Sequence, residues 1–197
     1  MSSLSVLRAA SHQWSHWGDY GELLIHGMTN HLPRQSGELQ LERTGPFVPS
    51  VSFPGISDIV LTDNAKSKLS ALVPQLVFRP VRKTRIVRLN WLEWNASAPE
   101  PPFYPESGEP EDYMLARESD EILAAEIGPM WELVPDIVPE IQARGGRVIL
   151  SKYRGQHLVR ANATGGYNFA SSALRMELLA VAPMEVSTEP ARGQDDA

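Results

Sequence analysis

The sequence predicts an α+β fold: a mixed or antiparallel sheet with a few helices packed on it. Three observations predict this. Short apolar, β-rich runs alternate with helical patterns that end on proline. One Ser/Thr-capped helix pattern occurs twice, at Thr62–Pro74 and Ser171–Pro183. A chain of 197 residues, 42% of them hydrophobic, is long enough to bury a core without staples.

In chain order, Leu4–Trp17 is read as a short helix or an irregular arm. Glu22–His26 and Glu38–Arg43 cluster apolar residues like strands, with a turn at Pro33–Gly37 between them. Pro46, Pro49 and Pro54 make Gly45–Gly55 an extended connector or edge strand. Ile59–Leu61 is a buried strand, and Thr62 or Asp63 caps the helix that runs to Leu72 before Pro74. Leu76–Val81 and Thr84–Trp91 follow as two strands. Prolines at 99, 101, 102, 105 and 110 exclude helix and ladder from Ala98–Pro110. Ser119–Ile127 is a capped helix, whereas Pro135 and Pro139 leave Trp131–Ile141 open. Arg147–Tyr153 and His157–Arg160 form a hairpin about Gly155. Ser171–Val181 is the strongest helix, with Leu174, Leu178 and Val181 in helical spacing, and Met184–Val186 is a last strand.

The two capped helices align without gaps: Lys66 falls on Arg175, Leu69 on Leu178, Ala71 on Ala180 and Pro74 on Pro183. They are a candidate repeat of a strand–helix–strand unit, and both leucines are expected in the core. Residues 1–187 are read as one domain, with 1–36 a candidate N-terminal arm or subdomain and 188–197 a flexible tail.

The chain has no cysteine, which excludes disulfides, Cys-ligated metals and thiol nucleophiles and fits a reducing, cytoplasmic setting. The start lacks the apolar run of a secretory signal, and no stretch approaches the ~20 apolar residues of a membrane span. Phosphate-loop, dinucleotide, serine-hydrolase and His-Glu-x-x-His motifs are absent. No cofactor is expected. His12 and His16 share a face if helical and are the one candidate metal pair, with Asp19 or Glu22 as third ligand. Trp14 and Trp17 beside them favour a segment packed on the core instead.

Charge is unevenly distributed. Glu100–Glu140 holds twelve acidic residues and one basic residue, Arg117, so the remainder of this chain of net charge −6 is positive. Arg79, Arg82, Lys83, Arg85 and Arg88 form a basic group without interleaved stacking aromatics, which argues against nucleic acid and for pairing with the acidic region. That region either covers a solvated face or recruits a basic partner. Trp91 and Trp94 are read as one core ring and one candidate interface anchor, Trp94.

Three stretches between Glu38 and about Trp131, LERTGPFVPSVSFPGISDIVLTD, FRPVRKTRIVRLNWLEW and YPESGEPEDYMLAR, carry a resemblance. They are similar to myxobacterial-type proteins that look like immunity proteins of polymorphic or contact-dependent toxin systems. Some of those relatives have paired Cys-x-x-Cys-Gly motifs, and this chain has none. The resemblance supplies no catalytic residues. It implies a cytoplasmic inhibitor that occludes a cognate toxin with a basic surface. Pro99–Arg117 is the expected contact, through Tyr104, Glu106, Glu109, Glu111 and Asp112, with Trp94 as anchor. The rival readings are a metal-assisted hydrolase using the N-terminal histidines and a regulatory or scaffold protein.

Overall fold

The structure, a computed structural model, describes residues 4–11, 15–29, 37–55, 57–90, 95, 97–142 and 147–194. It is an α+β fold with two mixed sheets. The six-stranded sheet has β2 (Met28–Thr29), β3 (Leu39–Gly45), β4 (Val51–Ser52), β5 (Val60–Thr62), β6 (Val77–Arg88) and β7 (Met130–Val134), in the order β2-β3-β6-β7-β5-β4. The five-stranded sheet has β1 (Leu4–Ala9), β8 (Asp136–Ile137), β10 (Leu158–Asn162), β11 (Gly165–Ser171) and β12 (Val186–Pro190), in the order β12-β1-β11-β10-β8. β9 (Val148–Ile149) and β13 (Gly193–Gln194) pair separately.

The two aligned segments have the same build. Helix α2 (Asp63–Leu72) joins β5 to β6, and helix α5 (Ser172–Val181) joins β11 to β12. In each unit the two joined strands run parallel because one antiparallel strand lies between them, β7 in the first and β1 in the second. The caps coincide as well. Thr62 and Ser171 have extended backbones and accept from the N–H groups of Ala65 and Leu174, which satisfies one open donor at each helix start. At the other ends the Val73 and Ala182 N–H groups return to Leu69 and Leu178. Leu69 and Leu178 are both buried and lie in one cluster with residues of both sheets. The units therefore share a single hydrophobic core.

Several expectations need correction. Leu4–Ala9 is the middle strand of the second unit rather than a helix or arm. Leu4 and Val6 pack with Phe169 on one face, and Leu7 packs with α5 on the other. Glu22–His26 belongs to helix α1 (Asp19–His26), which begins after Gly18 and ends at Gly27, both at positive φ. A short apolar run does not distinguish helix from strand. β6 is one twelve-residue strand that changes neighbours: Val77–Pro80 pairs with β7, and Val81–Arg88 pairs with β3. The observed hairpin is β10–β11 across Ala163–Thr164, while Val148–Ile149 pairs with Gly193–Gln194. Ser187–Pro190 are in β12 and Gly193–Gln194 pair with β9, so the expected tail is held by strand pairing at both segments. The turn at Pro33–Gly37 and the rings of Trp91 and Trp94 lie outside the described residues except for Gly37.

Helix α4 (Glu121–Ile127) is capped by Asp120, not Ser119. Asp120 accepts from the Leu123 N–H at 2.8 Å and from Arg88 at 2.7 Å. The Leu123 bond, followed by Arg88, holds its carboxyl below the usual aspartate value. A depressed folded value gives stability that is complete above the ordinary value of about 3.9 and is lost as pH falls through the folded value. Asp120→Asn keeps a capping oxygen without the titration. Denaturation midpoints followed from neutral to acid pH should fall less steeply in Asp120→Asn than in wild type, and parallel acid limbs would contradict this role.

Candidate partner-binding site

The acidic, proline-rich segment is fixed from beneath. After β6, Trp17 Nε1 and His16 Nε2 both donate to the Ala98 carbonyl at 2.8 Å, tying the 3-10 turn Ser15–Trp17 to the segment's start. Pro101 is buried. Helix α3 (Asp112–Leu115) inserts Tyr113 and Met114 into a cluster with Tyr20, Leu24 and Val87. The Tyr20 hydroxyl donates to the Gly108 carbonyl at 3.2 Å, and its ring meets Tyr104 edge-on at 4.9 Å. Gly108 sits at positive φ, a conformation glycine adopts without a Cβ penalty, and its N–H closes a turn onto Pro105. Ser107 donates to the Asp112 carboxylate and accepts from the Glu109 N–H.

The acidic side chains stay on the surface above this support. Glu106, Glu109 and Glu111 are exposed and Asp112 is half-buried. Tyr104 is 54% exposed, although one ring edge rests on Tyr20. Tyr104, Glu106, Asp112 and Leu115 line an open groove of about 720 Å³. Burial pushes the Tyr20 phenol up, and Tyr104, Glu109, Asp112 and Glu111 push it further. It therefore remains a neutral donor to Gly108. Arg117, which also lines the groove, lies 3.7 Å from the Tyr113 ring centroid and donates to the Tyr113 carbonyl at 2.6 Å. The groove therefore presents carboxylates, an aromatic ring and one guanidinium.

Of the expected contact residues, the structure brings Tyr104, Glu106, Glu109, Glu111 and Asp112 onto one supported segment. Trp94 lies outside the described residues, as does His12. The Nε2 of His16 is engaged by the Ala98 carbonyl, and no group of three metal-ligating side chains occurs among the described residues. Sequence reasoning missed Tyr20, Ser107 and Tyr113. Reading 19–26 as a helix would have set Tyr20 on the face of Leu23 and Leu24 and so marked it as a packing residue.

The basic group is largely engaged internally. Arg79 lies 3.6 Å from Glu132, and Arg88 lies near Asp120 and Glu126. Lys83 donates to the Ala124 and Gly128 carbonyls at the end of α4, where a cation meets the negative end of the helix. Arg85 lies 3.9 Å from the buried Glu42 and donates to the Arg117 carbonyl. These cations hold the acidic region to the sheet. Among the described residues no helix is long and apolar enough to cross a membrane. Comparison with protein-family models, with curated proteins and with solved structures finds no match.

Proposed function

We propose that the chain is a non-catalytic, immunity-type binding protein that acts in the cytoplasm and neutralises a cognate toxin by covering it. The observation that carries this reading is the built support beneath the acidic segment. Tyr113 and Met114 are buried, and Tyr20 is bonded to Gly108, while Tyr104 and three glutamates remain exposed. A surface ordered before contact loses less entropy on binding, which favours affinity. Its carboxylates suit a basic surface on the toxin, and the exposed ring suits a packed contact.

The test uses the purified toxin partner and association kinetics at two salt concentrations. Charge reversal at Glu106, Glu109, Glu111 and Asp112 should slow association at low salt. The deficit should shrink at high salt, where the Debye length falls from ~10 Å at 0.1 M to ~3 Å at 1 M. Tyr104→Ala should instead speed dissociation, by about 2 kcal/mol if the ring is an anchor, and depend little on salt. The same behaviour is expected of Trp94→Ala. An unchanged on-rate for the quadruple variant at low salt would reduce the segment to a solvated face.

A further inference from the structure

On the opposite side of α1 from the acidic segment's support, a second cavity has no role in the reading above. It is a cleft of about 400 Å³ between β1, β11, Glu22 and the loop after β4, within the ~300–1,000 Å³ of small-molecule sites. Its walls carry both signs of charge.

The negative wall is Glu22. Its Oε1 accepts from Ser15 at 2.7 Å, and its Oε2 lies 3.4 Å from Nε2 of the buried His26. The Nδ1 of His26 accepts from the Phe53 N–H at 3.3 Å. In the neutral ring the proton is therefore on Nε2. Glu22 is positioned by the Ser15 hydroxyl, yet its side chain is 41% exposed.

The positive wall is Arg8. Its guanidinium lies 5.3 Å from the Tyr167 ring centroid and 3.7 Å from Glu189. Arg8 and Glu189 side chains are 48% and 65% exposed. A pair so exposed contributes little, so an anionic group in the cleft can take the guanidinium from Glu189. Phe53 and Tyr167 add aromatic surface to the lining of the cleft. Asn168, 4% exposed, lines the inner wall. Its Nδ2 donates to the Ser57 carbonyl at 2.8 Å, while its buried Oδ1 has no hydrogen-bond donor among the described residues. A buried acceptor without a donor carries a desolvation cost that an incoming N–H would relieve.

We propose that this cleft binds a small zwitterion of amino-acid or dipeptide size. Its carboxylate sits on Arg8 and its ammonium on Glu22, and an apolar side chain lies against Phe53 or Tyr167. The test is an amide-shift titration of the full chain with L-phenylalanine and phenylalanyl-glycine. N-acetyl-phenylalaninamide, which carries neither charge, and phenylalaninamide, which lacks the carboxylate, are the controls. Saturable shifts are expected at Leu7, Arg8, Tyr167 and Asn168 with the zwitterions, and none with the uncharged control. Arg8→Gln and Glu22→Gln should each weaken zwitterion binding about tenfold or more, the loss of about 1.4 kcal/mol, with melting curves confirming the fold. If Glu22→Gln fails to fold, Arg8→Gln decides with phenylalaninamide, whose weaker binding should be unchanged by that variant. The proposal is overturned by the absence of saturable shifts at millimolar ligand, by equal binding of the uncharged control, by variants that bind like wild type, or by shifts confined to the Tyr104 groove.

Discussion

Arg43→Leu should destabilise the protein by about 3 kcal/mol or more, because each buried acceptor left without a donor costs about 1–3 kcal/mol. Arg43 is fully buried in β3 and has acceptors on four sides. It donates to the carbonyls of Thr44 (2.9 Å), Ile25 (3.1 Å) and Phe47 (3.2 Å) and to the Ser52 hydroxyl (3.3 Å). Two of the last carbonyls of α1 depend on this strand, since Thr44 also donates to Leu24 at 2.8 Å. Helix ends leave such carbonyls open, and a cation suits their negative potential. Burial pushes the Arg43 guanidinium down to about 10, so at neutral pH the charge is kept against a desolvation cost that these hydrogen bonds offset. Leucine would restore the apolar volume and leave the acceptors dry. Arg43→Lys keeps the charge without the planar fork and should recover only part of the loss. Urea denaturation of the three proteins measures this. A leucine variant within about 0.5 kcal/mol of wild type, the ordinary range for surface substitutions, would show that the cluster contributes nothing.

Leu69→Ala and Leu178→Ala should each cost about 2–5 kcal/mol, because each removes a fully packed side chain and leaves a cavity. The two exposures are 0% and 1%, and both leucines belong to the cluster between the sheets. Their helices are in contact, α2 against α5. The double variant should therefore differ from the sum of the single losses, with a coupling of about 0.5 kcal/mol or more. Equilibrium unfolding of the four proteins supplies the cycle. Strict additivity would mean that the two units unfold from independent cores, contrary to the shared cluster.

Local rules were sufficient where the interactions are local. The caps at Thr62 and Ser171, the stops near Pro74 and Pro183, the buried Leu69 and Leu178 and the α+β class all follow from residues within one or two helical turns of each other. The concentration of carboxylates in Glu100–Glu140 is likewise a property of composition, as is the exclusion of helix and ladder from Ala98–Pro110. Other features required partners distant in sequence. Leu4–Ala9 is a strand because β11 and β12, more than 150 residues later, supply both of its neighbours. Residues 187–190 and 193–194 are held in strands for the same reason. ELLIH is helical because Gly18 and Gly27 bracket it and the cluster of Trp17, Tyr113 and Met114 receives its apolar face. Arg43 reads in sequence as one more charge on a strand, and only the packed fold surrounds it with carbonyls. The acidic segment was legible as charge, but its ordering by Tyr20, Tyr113 and Met114 was not. Nor was the cleft between Arg8 and Glu22, because hydrophobic burial brings together residues whose separation along the chain carries no periodic signal.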